Sequence, residues 1–542
     1  MRHRLTIVLS VLLFSIILSF FVLYTPKPIA GGTGDAFSAV NVAQTIEVIS
    51  REPHSVFDQE AHEEVRLYIK NELDALLGIA NVYEMNYSKE EVGKEYSVKN
   101  LLGVIPGASE TGLLLVGHYD SRGHIGRFGE LGRSYGAADD GYAIGTMLEI
   151  ARLYANKPLK TSLYFLFTDA EEVGLVGAKQ AVLETAWMDK ISFVINIEAR
   201  GIKGPSYMFE TSPNNEKVID FYKQAKYPVS YSLATAVYSV MPNYTDFTEF
   251  LKIEKSGINF AVLDNLYYYH TPLDNYTNIN LSSIQHFGAQ IVPLIEEFTS
   301  DDQYQDLNYF EGTQNQVFFT ILPNVLITYK DNVAILFHIV LLVAFIGIMI
   351  FFLIKKQIKI ISFIKYLGID FGILIVLGIL GLLVSKLMAF LGKVPWSLTY
   401  VRMDHTELPT LLIMLVVTVS LGFAYFVTIK KDESKRALAM AGIFLNLFLA
   451  LVTGFVLSGA SFLFFVPALI GLLSMYSEAF VKNKAIRCFV LSQNILWNML
   501  LIVPILYSLF LSLTVGGLLA LLIILGINLS ITIPMFRRQI SI

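Results

Sequence analysis

The sequence predicts an α/β domain, in which helices cover both faces of a mixed, mostly parallel sheet, followed by an α-helical membrane domain. Short apolar runs rich in β-branched and aromatic residues alternate with helical patterns up to about residue 310, which is typical of such a sheet. Beyond about residue 331 the chain consists mostly of long apolar stretches. The composition agrees, because 54% of the 542 residues are hydrophobic and only 16% are charged, against about 25% in ordinary soluble domains.

The first predicted element is a membrane anchor over residues 5–24, an apolar run of about one membrane thickness. The basic sequence Met-Arg-His-Arg at residues 1–4 precedes it, so we expect these residues to stay in the cytoplasm. A cleaved signal peptide is the alternative. The run is long for a signal peptide, however, and Pro-Ile-Ala before Gly31 is a poor cleavage site, so we favour an uncleaved anchor.

Residues 25–310 hold the predicted α/β domain. Apolar runs predict strands at Asn100–Pro106, Leu113–His118, Leu163–Thr168, Phe193–Ile197 and Phe260–Leu263. Apolar residues at helical spacing predict helices near 57–77, 141–156, 174–188, 214–225 and 281–298. In α/β sheets, functional residues gather outside the carboxyl ends of the strands, so the polar residues that follow these runs are candidates for a site.

Residues 311–331 are a predicted connector, because the apolar run 316–329 is short for a span and contains Pro323. Seven spans follow within 332–536, at about 332–354, 366–391, 407–429, 437–457, 461–477, 488–511 and 514–535. Every second loop is basic, with clusters at Lys355–Lys365, Lys430–Arg436 and Lys482–Arg487 and the pair Arg537 and Arg538. This pattern predicts that residues 1–4 and the tail 537–542 are cytoplasmic and that the α/β domain is outside the cytosol.

The charge and cysteine content exclude some partners and favour a compartment. The net charge is −5 and the α/β region has no basic block, so we expect no nucleic acid partner. Cys488 is the single cysteine, so no intramolecular disulfide can form. An extracytoplasmic domain without disulfides favours a bacterial plasma membrane. The alternative is an endomembrane of the endoplasmic reticulum or vacuole, with a lumenal catalytic domain.

Histidines and carboxylates follow the predicted strand ends. Taken singly, each has an ordinary explanation, such as a hydrogen-bonded histidine, a helix N-cap or first-turn glutamates. Together they supply the imidazole and carboxylate ligands that zinc prefers, with a carboxylate to spare for activating water. The motifs are Gly-His-Tyr-Asp (His118, Asp120), Gly-Ala-Ala-Asp-Asp (Asp139, Asp140), Asp-Ala-Glu-Glu (Glu171, Glu172), Asn-Ile-Glu-Ala (Glu198) and His-Thr-Pro-Leu-Asp (His270, Asp274).

The order of these motifs resembles the co-catalytic di-zinc aminopeptidase family. Within it, the chain is most similar to the membrane branch that includes the endoplasmic reticulum metallopeptidase and the vacuolar membrane protease. Arg51–His54, Val65–Ile69 and Thr245–Phe247 carry that closer resemblance. The likeness covers about residues 40–330 with specific motifs, and it rests on architecture alone over the later spans.

The resemblance implies a di-zinc aminopeptidase-like fold that binds two zinc ions. Asp139 is expected to bridge them, with His118 and Glu198 on one ion and Glu172 and His270 on the other. These roles come from the family and not from spacing.

The resemblance also implies the catalytic roles around the metal ions. Glu171 is expected to be the general base that takes a proton from water and delivers it to the leaving amine. Asp120 and Asp274 are expected to orient the two histidine ligands, and Asp140 to lie beside the bridging aspartate.

These expectations describe a membrane-bound zinc metallopeptidase that hydrolyses peptides outside the cytosol, with aminopeptidase activity favoured. Other zinc chemistry on the same site, as in a carboxypeptidase or glutaminyl cyclase, is one alternative. A non-enzymatic receptor or assembly subunit is another. The spans contact membrane lipid and are read first as an anchor and scaffold. Binding of a membrane protein partner is the alternative role for them.

Overall fold

The structure is a computed structural model that describes residues 2–124, 131–239, 243–429 and 432–541. The chain forms two compact units, which are Leu23–Thr328 and the combination of Met1–Val22 with Tyr329–Ile542. The first is called the α/β unit and the second the helical unit. Lys430 and Lys431, which belong to one of the predicted basic loops, lie outside the described residues.

A seven-stranded sheet forms the centre of the α/β unit, in the order β1-β2-β4-β3-β5-β7-β6. Its strands are β1 Val82–Tyr87, β2 Val98–Ile105, β3 Ser109–His118, β4 Thr161–Thr168, β5 Ile191–Ala199, β6 Lys203–Thr211 and β7 Gly257–Asp264. The central strands β4, β3, β5 and β7 are parallel to one another. Only β2 and β6 run in the opposite direction to the rest, so the expected mixed, mostly parallel sheet is confirmed.

Helices cover both faces of this sheet. The first helix of the chain, α1 Arg2–Ser19, belongs to the helical unit. The helices of the α/β unit are α2 Ala39–Ile49, α3 Gln59–Leu77, α4 Lys89–Val92, α5 Gly141–Tyr154, α6 Val176–Ala181, α7 Thr185–Met188, α8 Glu216–Tyr222, α9 Ser232–Tyr238, α10 Asp246–Lys252 and α11 Leu281–Ser300. Along β3, Leu113 and Leu115 join the core that includes α2, α3, α5 and α11, whereas Leu114 and Val116 join the core that includes α6 and α10. Alternate side chains of a strand point to opposite faces, so both faces of the sheet are apolar and covered.

The segment expected to be a connector forms a two-stranded hairpin. Its strands are β8 Gln316–Leu322 and β9 Val325–Lys330. Pro323 lies in the turn, where its missing N–H is not needed for strand pairing, and Asn324 has the left-handed φ of +59°. Phe319 of β8 pairs with Tyr231 through an isolated β-bridge, so the α/β unit extends to Thr328 and does not end near residue 310.

The helical unit contains α1 and the helices α12 Asp331–Ile354, α13 Ile360–Gly392, α14 Glu407–Thr428, α15 Asp432–Val456, α16 Phe462–Phe480, α17 Lys484–Leu513 and α18 Leu518–Ser541. In the described residues, six helical stretches are long and apolar enough to span a membrane. The last stretch, Lys484–Met535, is 52 residues long, which is more than twice the roughly 20 residues that one span needs. It holds α17 and most of α18, which pack against each other. The seven spans correspond to the helices α12–α18 and stay a prediction.

Two charged residues of α13 lie in different surroundings within the helical unit. Asp370 is 2% exposed and accepts a hydrogen bond from the Tyr425 hydroxyl of α14 at 2.9 Å. The ammonium of Lys386 lies 4.8 Å from the ring centre of Trp396. Asp370 therefore links α13 to α14 through a buried hydrogen bond.

Candidate metal centre

The strand ends bring the predicted site residues together at one edge of the sheet. His118 is the last residue of β3 and pairs with Thr168, the last residue of β4. Glu198 is the next-to-last residue of the neighbouring parallel strand β5. The turn after β4 carries Glu171 and Glu172, so the ends of three adjacent strands supply one histidine and three carboxylates.

Five of the buried side chains form two groups that could each hold a metal ion. One group is His118, Asp139 and Glu198, the other is Asp139, Glu172 and His270, and in each group the ligand atoms lie within 4.8 Å of one another. The two oxygens of Asp139 point in different directions. Oδ1 lies 3.3 Å from Nε2 of His118, and Oδ2 lies 3.2 Å from Nε2 of His270. Asp139 therefore belongs to both groups and lies between them.

The chemistry of these side chains fits metal ions. Among the described residues, Asp139 Oδ2, Glu172 Oε1 and His270 Nε2 are buried without a hydrogen-bond partner. Buried polar atoms normally have partners, because leaving them unpaired is costly. Nε2 of His270 lies only 3.1 Å from Oε1 of Glu172, so these atoms converge on one point. Imidazole nitrogens and carboxylate oxygens converging in this way are suited to zinc.

The buried carboxylates of the site lie close together, so their negative charges repel one another. Burial, with Asp139 and Asp246 nearby, raises the pKa of Glu198 to about 8. Burial also raises the pKa of Glu171 well above its ordinary value, and the neighbouring Glu172 and Glu198 raise it further. Bound cations would offset this concentration of negative charge.

Comparison with known proteins agrees with this geometry. Residues 100–295 match the model of peptidase family M28. The chain carries a peptidase M28 domain. Its homologues include endoplasmic reticulum metallopeptidase 1 of Mus musculus, 31% identical over 232 residues, and a vacuolar membrane protease of Candida dubliniensis, 28% identical over 274 residues. These matches cover 42% and 48% of this chain, but only 25% and 28% of the two relatives.

Solved structures also align with about half of the chain. The zinc aminopeptidase of Bacillus subtilis aligns with 50% of this chain and 97% of its own, at 13% identity and a TM-score of 0.38. A glutaminyl cyclase from an Acidobacteriales bacterium aligns with 51% of this chain and 99% of its own, at 15% identity and a TM-score of 0.39.

Asp120 organises the M28 site through both its backbone and its side chain. Its backbone carbonyl lies 2.9 Å from Nδ1 of His118, whereas its carboxylate is 3.5 Å from that atom. The carboxylate instead accepts the backbone N–H groups of Glu171 and Glu172, at 2.9 and 3.2 Å. The expected contact with His118 is thus made by the carbonyl, and the carboxylate fixes the turn that carries the two glutamates.

Asp274 holds the loop of the bridging aspartate. Its carboxylate accepts hydrogen bonds from the Ser134 hydroxyl and from the backbone N–H groups of Ala138 and Asp139, at 3.0, 2.7 and 3.2 Å. Nδ1 of His270 has no hydrogen-bond partner in the described part of the chain, so the expected orientation of His270 by Asp274 is not what the structure shows. The reason is the position of the 134–139 loop, whose N–H groups surround the Asp274 carboxylate.

Asp140 is buried beside the bridging residue. It is 2% exposed, and its carboxylate accepts the backbone N–H of His118 at 3.2 Å. Asp140 precedes α5 but makes no side-chain capping bond, so the alternative of a solvated helix N-cap does not apply. The peptide bond between Asp139 and Asp140 is cis. Burial raises the pKa of Asp140 well above its ordinary value, against the pull of the nearby His118.

Two further residues of the M28 site escaped the sequence analysis. Nη1 of Arg122 donates to Oε2 of Glu172 at 2.9 Å and to the backbone carbonyl of Glu172 at 3.0 Å. Asp246, at the start of α10, accepts a hydrogen bond from the Thr168 hydroxyl, and burial raises its pKa to about 6. Arg122 gave no signal beyond its nearness to His118 in sequence. Asp246 lies within the Thr-Asp-Phe motif of Thr245–Phe247, which indicates the family resemblance but not a position in the site.

Proposed function

We propose that this protein is a membrane-anchored zinc aminopeptidase that binds two zinc ions. The observation that carries the proposal is the pair of ligand groups that share Asp139, with Glu171 in the adjoining turn. All five ligand positions and the general base are present, which argues against a receptor or assembly subunit that has lost its chemistry. The proposal concerns the M28 domain, since the chain matches only about a quarter of the length of its curated relatives.

The side chains of the site have separate roles in peptide hydrolysis. Zinc ions held by the two groups would polarise the scissile carbonyl and lower the pKa of an attacking water. Glu171 accepts the proton of that water and delivers it to the leaving amine. Asp120 keeps Glu171 in place through its backbone N–H, and Arg122 turns one oxygen of Glu172 away from the ligand group.

The location that we propose follows from the spans and the relatives. The basic loops favour an M28 domain outside the cytosol. The two curated relatives are named for the endoplasmic reticulum and the vacuole, so they favour an endomembrane with a lumenal domain and give no support to a bacterial plasma membrane. The helical unit would then serve as an anchor in lipid, and a membrane protein partner for it stays a secondary proposal.

Peptide hydrolysis by the full-length protein in detergent tests the function. The substrates are matched short peptides with free or acetylated N-termini, with chelator and then with added zinc. We expect cleavage of free N-termini only, restored by zinc, and a loss of about 100- to 10,000-fold in Glu171→Gln with zinc still bound. Glu90→Gln, an exposed glutamate of α4, is the matched control and keeps full activity.

Each of the other possible results would indicate a different function. Equal cleavage of acetylated peptides would contradict exopeptidase specificity. Cyclisation of N-terminal glutamine by a protein with one bound zinc would indicate glutaminyl cyclase chemistry. A protein that binds two zinc ions and cuts none of the peptides would point to a binding module.

A further inference from the structure

A row of buried polar side chains leads from the predicted zinc ligand Glu198 across three neighbouring strands. Asn196 precedes Glu198 by two residues on β5 and pairs with Asn259 on β7. Asn259 is in turn opposite Glu210 on β6. Both asparagines are 0% exposed, and Glu210 is 8% exposed. Burial of four polar side chains in a sheet is costly unless they satisfy one another.

Hydrogen bonds join this row into a continuous chain. Nδ2 of Asn196 donates to Oε1 of Glu198 and to Oδ1 of Asn259, each at 3.1 Å. Nδ2 of Asn259 donates to Oε2 of Glu210 and to the hydroxyl oxygen of Thr245, each at 2.9 Å. We call Glu210, Asn259 and Asn196 the relay, because each residue holds the next and the last one holds Glu198.

The acceptor at position 210 decides how the relay is oriented. An amide has an acceptor at one end and two donor hydrogens at the other. Because the oxygen of Asn259 accepts from Asn196, its NH₂ group must face another acceptor. The hydroxyl of Thr245 can donate or accept and so fits either orientation, whereas an ionised Glu210 can only accept. If Asn259 turned over, its NH₂ group would face the NH₂ group of Asn196, and the hydrogen bond between them would be lost.

The relay is also tied to a helix on one face of the sheet. Thr245, which receives one of the Asn259 hydrogens, is the N-cap residue of α10. The next residue, Asp246, accepts from Thr168 at the end of β4. The relay is thus attached to Glu198 at one end and, through its middle residue Asn259, to the helix that begins with Asp246.

We propose that Glu210 and Asn259 are positioning residues for the zinc ligand Glu198. They fix the amide of Asn196, and that amide holds one oxygen of Glu198 so that the carboxylate keeps the orientation its zinc ion requires. This rests on the proposed function, because it takes Glu198 as a ligand. Partners behind metal ligands typically change metal affinity by about 10- to 100-fold when they are removed.

The test measures zinc affinity of the full-length protein by competition with a fluorescent chelator. Glu210→Met keeps the length of the side chain but removes the acceptor, and Glu210→Gln keeps an acceptor oxygen. We expect Glu210→Met to weaken the binding of one of the two zinc ions by about tenfold or more and to leave the affinity for the other unchanged. We expect Glu210→Gln to stay within about twofold of the wild type for both ions, because its amide oxygen can accept from Asn259.

A second background separates positioning from a general loss of stability. In Glu198→Ala the relay has no ligand to hold, so adding Glu210→Met should change the affinity of the remaining zinc no further. The relay proposal would be overturned if Glu210→Met weakened the binding of both zinc ions equally, or if it weakened zinc binding as much in the Glu198→Ala background. Wild-type zinc affinity in Glu210→Met would overturn it too. A wild type that binds no zinc would instead overturn the proposed function, so the two failures are distinguishable.

Discussion

Arg122 illustrates how one side chain outside the ligand set determines what a ligand can do. Its guanidinium bonds to Oε2 and to the backbone carbonyl of Glu172, which leaves Oε1 directed at His270. Arg122→Met removes both bonds, and we expect weaker binding of the zinc held by Glu172, by about 10- to 100-fold. Zinc titration, together with kcat/KM at saturating zinc, measures the change.

Arg152→Met is the control for the arginine substitution. Arg152 pairs with Glu149 three residues earlier on α5, and its side chain is 23% exposed compared with 17% for Arg122. It should keep wild-type zinc affinity. If Arg122→Met and Arg152→Met bind zinc equally well, Arg122 has no part in holding Glu172.

The residues of the site could be anticipated only where the sequence places them in recognisable motifs. The resemblance implies five ligand positions, and in the structure the ligand atoms of each group of three lie within 4.8 Å of one another. Arg122, Asn259 and Glu210 were out of reach, because each acts through a contact between residues distant in sequence or on separate strands. Asp274 shows the same limit, since its real partners depend on how the 134–139 loop folds around it.

At the scale of elements, the central strands were predictable and the edge strands were not. Each predicted run coincides with the middle and end of β2, β3, β4, β5 or β7, because these strands are apolar on both faces. The strands themselves begin two to four residues before the predicted runs. β1 was missed since it is short and half-exposed, and β6 since it begins Lys-Gly-Pro. For the hairpin β8–β9 the sequence predicts only a connector, because Pro323 interrupts the apolar run and the run is too short for a span.

His286 makes the packing of α11 on β6 sensitive to pH. Its Nδ1 accepts the backbone N–H of Ser206 at 2.9 Å, and its Nε2 donates to the backbone carbonyl of Tyr227 at 2.9 Å. Burial lowers the pKa of His286 from 6.5 to about 4, although the Tyr227 carbonyl opposes this. Protonation would turn Nδ1 into a donor that faces another donor, so the folded state holds the imidazole neutral.

The sign of the pH effect follows from where the proton binds. Below pH 6.5 the unfolded chain takes up a proton on this histidine, whereas the folded chain does so only near pH 4. The free energy of unfolding therefore falls as the pH drops through this window, by up to about 1.4 kcal/mol per pH unit. His286→Leu has no such proton, so its melting temperature in detergent should approach that of the wild type between pH 6.5 and 4. A difference in melting temperature between the two proteins that stays constant across that range would contradict a neutral, buried His286.

For the whole molecule, composition alone predicted the division into an α/β unit and a helical unit. The boundary between the two units was harder to predict. The segment after residue 315 is too apolar for a soluble linker and too short for a span, because it forms a buried strand. The order of strands in the sheet was also beyond the sequence. It depends on pairings such as β2 with β4 and β7 with β6, which local patterns do not encode.

Because Cys488 is the single cysteine, introduced thiols can show on which side of the membrane each unit is exposed. In a Cys488→Ser background, Ser300→Cys places a thiol on an exposed position of α11, and Lys355→Cys places one at the exposed end of α12. The basic loop that begins at Lys355 should face the cytoplasm. In sealed vesicles with the cytoplasmic face outward, an impermeant maleimide should label Lys355→Cys at once and Ser300→Cys only after detergent is added. Labelling of both thiols before detergent would place the M28 domain in the cytosol, and its peptide substrates would then have to be cytosolic as well.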